Sequence, residues 1–333
     1  MGDDAGDGLH PTPARRVDQP HRSGAQHEIL GSMKVRIALA PGTAMVDRIA
    51  FCRFIDGLEQ YGFDTVWLSD VPLGTVVDPL VGLALAAGRT ERLKLGANVV
   101  VPGRNPLMLA KELAQLDRLS GGRLLLSFVA GQESPAEREA LGVLREDRGA
   151  RIEEVIGLCR RWWAGESVEH HSERFDISGI ALQPTPIQEP LEIWLGGIGP
   201  KALLRVGRVA DGWLTARATP AQAEQGRLII EEAAAAAGRT VDPEHFGISI
   251  PYSRQPLDER AVAAVLRRPG AAPLAGETAV RDILPVGAGE LVDLLERHHA
   301  AGLSKFVLRP VQLGQGWDDE LEWLADAVLP LQG

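Results

Sequence analysis

The residues best suited to chemistry in this sequence stand where short apolar runs end. The run Arg123–Val129 closes in Ala130-Gly131-Gln132-Glu133. Gly131 permits a close backbone approach, the Gln132 side chain can donate and accept, and Glu133 is a candidate acid or base. Asp70, followed by Val71, ends the run Asp64–Ser69 and is a second candidate acid. Gly196-Gly197-Ile198-Gly199 separates the run Leu191–Leu195 from Pro200. It can present free N–H groups at a helix start to a phosphate, and a tight turn is the alternative reading. Arg148 and Arg151 open another helix, where one could reach the same anion or simply face solvent. No metal site is expected. His170-His171 and His298-His299 are adjacent pairs without Cys or carboxylate at ligand spacing, and both are expected at the surface. Cys52 and Cys159 are expected to be buried free thiols.

These groups need a scaffold, and the stretch Arg92–Gly131 supplies its logic. An apolar run (Leu93–Val101) is followed by Asn105-Pro106, a cap and a first-turn proline. Leu109, Leu113 and Leu116 form a helical stripe, Ser120-Gly121-Gly122 stops it, and the second apolar run begins at Arg123. This is the pattern of a βαβ unit, which places ligands at the strands' C-terminal ends, here Ala97-Asn98-Val99 and Gly131-Gln132-Glu133. Further strands are predicted at Lys34–Ala40, Asp64–Ser69, Leu191–Leu195, Ala210–Leu214, Phe246–Ile250 and Ser304–Leu308, with helices between them. Eight strands alternating with helices predict an α/β fold, a (β/α)8 TIM barrel, with an open doubly wound sheet as the runner-up. No GxGxxG follows the first strand. Residues 251–285 interrupt the alternation after the seventh strand, as a lid, a substrate wall or a surface insertion. Residues 1–32 are polar, lack an apolar period and read as a disordered tail, which leaves 33–333 as a single domain.

Composition narrows the function. The chain has 333 residues, 45% hydrophobic and 24% charged, with a net charge of −10. A general affinity for nucleic acid or an anionic membrane is not expected. No apolar run has the length of a membrane span and no leader pattern opens the chain, so a cytoplasmic protein is expected.

The strings YGFDTVWLSD, LGANVVVPGRNPLMLAKELAQLDRLSGGRLLLSF, RGARIEEV and WLGGIGPKALLRVGRVADGWL, in this order, resemble the luciferase-like flavin and deazaflavin oxidoreductases. The likeness runs from about Lys34 to Leu214. It implies coenzyme F420, or FMN as the alternative, at the C-terminal face of the barrel, and hydride transfer to or from a small organic substrate. It also implies a homodimer, and a flavin reductase partner only if FMN is used. Carried over by position, Ala97, Asn98 and Val99 would lie behind the ring, with a non-prolyl cis peptide at Asn98-Val99. Gly131 and Gln132 would lie at the ring edge, Gly196, Gly197 and Ile198 at the phosphate, and Arg148 or Arg151 near it. The relatives' histidine after Asp70 is replaced by Val71. Either Asp70 or Glu133 then does the proton work, or the substrate needs no acid there, or the protein binds a flavin or other ligand without turnover.

Overall fold

The computed structural model describes residues 33–42, 47–132, 134–143, 147–266 and 280–333. The tail at 1–32, Glu133 and part of the 251–285 insertion fall outside them. Met33–Gly333 forms one compact unit. Its barrel strands are β1 (Arg36–Leu39), β2 (Thr65–Ser69), β3 (Lys94–Val100), β4 (Leu124–Val129), β7 (Ile193–Leu195), β8 (Gly212–Ala216), β9 (Phe246–Tyr252) and β10 (Lys305–Pro310). They close in the order β1-β10-β9-β8-β7-β4-β3-β2, with every neighbour parallel. All eight coincide with predicted strands, and the (β/α)8 barrel replaces the open sheet.

The helices begin as their sequences dictate. Asp47 caps α1 (Arg48–Tyr61), Asp78 caps α2 (Pro79–Ala87) and Asn105 caps α3 (Pro106–Leu119). In α2 and α3 a proline follows the cap, where its missing N–H is no loss. Gly62 ends α1 in the left-handed region, and Gly121 and Gly122 do the same after α3. The short α4 (Pro135–Ala140) starts on the Ser134 hydroxyl, within a segment the sequence suggested was merely polar. Next come α5 (Arg148–Trp163), α6 (Pro200–Val209), α7 (Pro220–Ala236), α8 (Glu259–Leu266), α9 (Gly287–Ala300) and α10 (Trp317–Val328). Between α5 and β7 the chain adds an antiparallel hairpin, β5 (Val168–His171) and β6 (Asp176–Ile180), which the turn-rich sequence concealed. Its Ile180 carbonyl accepts from Trp162 Nε1 at 3.0 Å, which ties the hairpin to α5.

Two apolar layers hold the barrel. The larger lies between strands and helices and includes Val66, Leu95, Ala97, Val99, Leu126, Ile193, Trp213 and Phe306. The smaller fills the barrel itself, with Ala38, Ala40, Trp67, Trp194, Leu214 and Val307. Trp67 and Trp194 fit because Gly96 and Gly212 stand beside them. A Cβ on Gly96 would sit 2.2 Å from the Trp67 ring, and one on Gly212 2.5 Å from the Trp194 ring. Below this layer, Lys305 Nζ is buried against Asp64 and, at 2.7 Å, Thr65 Oγ1, while Lys94 reaches Asp64 at 3.0 Å. The N-terminal mouth is thus closed by charge pairing, and the open mouth is at the C-terminal ends.

One pair of side-chain expectations changes. His298 is fully buried in α9, at the end of the i, i+3, i+4, i+7 stripe Leu291, Leu294, Leu295, His298, because the helix's apolar face runs through it. His299 is partly buried and its Nδ1–H donates to the Leu303 carbonyl. His170 and His171 lie on a strand and pair with carboxylates, His170 with Glu154 and His171 with Glu169 and Asp176. Cys52 and Cys159 are both buried free thiols. The insertion after β9 leaves at Ser253 and returns at Val286, where the two form a parallel bridge. The described part holds α8, none of whose residues is buried.

Candidate functional site

A cavity of about 470 Å³ opens at the C-terminal mouth, within the size range of small-molecule sites. Strand alternation decides which side chains reach it. From β2 comes Ser69, from β3 Asn98, from β4 Val129, and from the turn after β7 come Gly196, Gly197 and Ile198. The opposite wall is made by Ala216 at the end of β8 and Arg217 after it, Ser249 and Pro251 of β9, and Arg309 of β10.

The alternation splits the predicted β3 trio. Asn98 faces the cavity, held by its Nδ2 donating to Ser69 Oγ at 3.0 Å. Ala97 and Val99 are fully buried on the other face, against the helices. The Asn98-Val99 peptide is trans, contrary to the expectation from resemblance. Cis peptides among the described residues are Gln183-Pro184 and Glu189-Pro190. The reason is visible in the pairing: Asn98, Val99 and Val100 keep unbroken parallel register with Ser127, Phe128 and Val129 of β4.

Asp70 is at the expected strand end, but its carboxylate is committed elsewhere. Oδ2 accepts from Arg104 Nη2 at 2.7 Å and from the Val100 N–H at 3.2 Å. Arg104 also donates to the Val100 carbonyl at 3.1 Å, and its own carbonyl accepts from Arg151 Nη2 at 2.9 Å. Arg151 lies over the Phe175 ring of the hairpin, 5.0 Å from its centroid. Asp70, Arg104 and Arg151 therefore tie the ends of β2 and β3 to α5 and the hairpin. Arg151 reaches the rim of the site as scaffold.

The β4 end is held in a similar way. Gly131 adopts φ 75°, and a Cβ there would meet Glu137 Oε1 at 2.5 Å. That buried carboxylate of α4 accepts from the Gln132 N–H at 2.6 Å. Arg148 donates to the carbonyls of Ala130 at 2.8 Å and Gln132 at 2.9 Å. Gln132 itself is exposed, and its side chain is the part left for a ligand. At the β7 end, Gly197 takes φ 104° and its carbonyl accepts from Trp213 Nε1 at 2.8 Å. Trp213 thus braces the turn from outside the barrel. Gly199 caps α6 without a side-chain hydrogen bond.

Five contributors escaped the sequence reading: Ser69, Arg104, Glu137, Arg217 and Arg309. Arg309 had a signal, since it directly follows the predicted strand Ser304–Leu308, and a cation at a barrel strand's C-terminal end reads as functional. Burial and the neighbouring charge of Arg217 both lower the Arg309 pKa. Arg217 holds φ 52°, a rare backbone for a long side chain. Among the described residues, no carboxylate or histidine lines the cavity and no cluster of three metal-ligating side chains occurs. Backbone N–H groups and an amide form a donor set suited to an anionic, carbonyl-bearing coenzyme such as F420 or FMN. Among the described residues, no helix is long and apolar enough to cross a membrane.

Known proteins agree with this architecture. The chain is 32% identical over 206 residues to limonene 1,2-monooxygenase from Rhodococcus erythropolis, covering 59% of this chain and 52% of that one. It is 27% identical over 224 residues to an F420-dependent glucose-6-phosphate dehydrogenase from Amycolatopsis mediterranei, covering 61% and 65%. The matches thus span about half to two thirds of these relatives' lengths. The structure of coenzyme F420-dependent tetrahydromethanopterin reductase from Methanopyrus kandleri superposes with a TM-score of 0.73 at 21% identity, over 90% of this chain and 99% of that one, a likeness of fold. The family model for luciferase-like monooxygenases matches residues 35–305, and with the barrel and its C-terminal cavity in place, the chain belongs to the luciferase-like monooxygenase family.

Proposed function

We propose that the protein is an F420-dependent oxidoreductase that moves a hydride between the deazaflavin coenzyme and a small organic substrate. The observation that carries this reading is the cavity's lining. Donors converge at the C-terminal ends of the parallel strands, and no carboxylate among the described residues faces them. Two of the relatives named above are F420-dependent enzymes, which supports the same choice. F420, when bound, supplies the hydride-donating or hydride-accepting carbon.

The chain's own residues bind, orient and exclude water. Asn98, fixed by Ser69, offers an amide to a ring carbonyl or ring N–H. The Gly196–Gly199 turn offers backbone N–H groups to a phosphate, with Trp213 holding its geometry. Trp67, Trp194 and Leu214 form a dry apolar floor beneath the cavity. Asp70 serves as a positioning residue, because its charge is already shared with Arg104 and the Val100 N–H. Glu133, which follows Gly131-Gln132 in the sequence, is then the carboxylate we assign to moving a proton. We further expect a homodimer, with the exposed Val81, Leu85, Met108 and Leu119 of α2 and α3 on the shared face. A monomer in sedimentation would exclude it.

Titration of the purified protein with F420 and with FMN, followed by fluorescence, tests the coenzyme. F420 binding with hydride transfer to an electrophilic or alcohol substrate is the expected result. Tight FMN binding without F420 binding overturns it and favours the monooxygenase alternative, which needs a separate reductase. Binding without turnover across a broad substrate panel favours a non-catalytic protein.

A further inference from the structure

The wall made by Arg217 and Arg309 has no part in the coenzyme reading above. Arg217 directly follows β8, Arg309 is the penultimate residue of β10, and both line the same cavity. Arg309 projects into the barrel mouth, since Val307 two residues earlier packs in the interior and Leu308 packs against the helices. Its side-chain stem runs past Gly42, where a Cβ would come within 3.1 Å of Arg309 Cγ and 2.6 Å of the Pro310 carbonyl. No carboxylate among the described residues pairs with Arg309, although burial and the positive Arg217 beside it both act against its charge. Other buried or half-buried arginines of this fold are neutralised. Arg160 meets Asp211 at 2.7 Å, Arg205 meets Glu153 at 2.9 Å and Arg104 meets Asp70 at 2.7 Å. Two guanidinium groups facing one cavity, one of them without a carboxylate, are the arrangement that an incoming oxyanion completes.

We propose that Arg309 and Arg217 form an oxyanion-binding corner that takes a carboxylate or phosphate group carried by the substrate. This rests on the coenzyme placement above, and barrel topology separates the two ligands. In the strand order β10 lies four places from β4, directly across the barrel, and three from β7. A coenzyme seated against Asn98, Gly131 and the Gly196–Gly199 turn leaves the β8–β10 wall to the second reactant. The substrate class is therefore small organic anions, and a neutral terpene or simple alcohol would leave Arg309 without a counter-charge.

The test uses calorimetric titration with inorganic phosphate and, separately, succinate, on the ligand-free protein and on protein saturated with F420. The expected result is saturable binding of at least one probe in both states. Arg309→Gln weakens it at least tenfold with F420 affinity unchanged, and Arg309→Lys restores part of it. Arg217→Asn, which suits the left-handed backbone, weakens it as well and serves if Arg309→Gln unfolds. Binding that F420 abolishes would assign the corner to the coenzyme's own phosphate and overturn the proposal, as would binding that both substitutions leave intact. If F420 does not bind at all, the coenzyme reading fails while the ligand-free titrations still decide whether Arg309 holds an oxyanion.

Discussion

Replacing Lys305 by Met tests whether the barrel's closed end is held by charge pairing. Lys305 Nζ is buried among Asp64 and Thr65 Oγ1, and Thr65 Oγ1 also donates to Asp64 Oδ2 at 2.6 Å. The two partners respond unequally. Burial works against the Asp64 charge, but Lys305 and Lys94 outweigh it and hold its pKa below the usual carboxylate range. Burial dominates at Lys305 and draws it down to about 8, with Asp64 opposing. At pH 7 both remain charged, so removing the cation strands a buried carboxylate. Losing one partner of a buried pair costs about 3–5 kcal/mol. Here Lys94 remains at 3.0 Å and Thr65 keeps its hydrogen bond, so about 2–3 kcal/mol is expected.

Urea unfolding followed by circular dichroism at pH 7 measures this loss. Asp64→Asn with Lys305→Met removes both charges and should lie within about 1 kcal/mol of the wild type, a coupling of about 2 kcal/mol. The pH dependence gives a second readout. Because the folded Asp64 pKa is depressed below 3.8, its contribution is present above that pH and is lost as pH falls through the folded value. In Lys305→Met the folded value rises back, and the acid-side slope should flatten. A single variant as stable as the wild type, or a double variant no better than the single, refutes the charge-pairing account.

Three other outcomes follow from the same geometry. Gly96→Ala puts a Cβ 2.2 Å from the Trp67 ring and should cost about 1–3 kcal/mol, read as a lowered Tm. An unchanged Tm would mean the tryptophan can move aside. Burial, helped by the nearby Arg297 charge, lowers the His298 pKa to about 4, so the unfolded chain binds the proton first. Stability should be full above pH 6.5 and fall by about 3 kcal/mol as pH drops toward 4. His298→Leu should flatten unfolding curves measured across that window, and an unaltered slope would rule the imidazole out as their cause. Arg104→Ala releases Asp70 and the Val100 carbonyl together. Coenzyme affinity should drop about tenfold, equivalent to about 1.4 kcal/mol, in fluorescence titration, and wild-type affinity would show that the Asp70 tie does not shape the site.

The sequence was informative wherever local chemistry acts alone. Asn105-Pro106 caps a helix because the cap needs only its own side chain and the nearby N–H groups of Leu107 and Met108. The eight strands declared themselves as apolar runs between such caps. It was silent where the third dimension decides. Ala97, Asn98 and Val99 were equivalent as letters, but one strand period assigns Asn98 to the cavity and its neighbours to the helix layer. Asp70 read equally as a candidate acid and as a hydrogen-bonding carboxylate, because its partner, Arg104, is 34 residues away and arrives only when β2 and β3 pair. The hairpin at 168–180 has polar, exposed strands, so it lacks the apolar alternation that would have announced it.

Arg309 marks the boundary between the two cases. Its position at a strand end was legible, yet the sequence could not tell a solvated cation from an unneutralised one. That difference requires knowing that Arg217 arrives on the same side and that none of the described acidic residues does. Barrels make this information non-local by construction. Each strand contributes one or two side chains to the mouth, so a site's net charge is summed over segments as distant as Ser69 and Arg309. The chain as a whole is acidic, at −10, while the described lining of its cavity carries two positive charges and no negative ones. The described lining is therefore opposite in sign to the net charge, which favours anions at the face where a barrel does its chemistry.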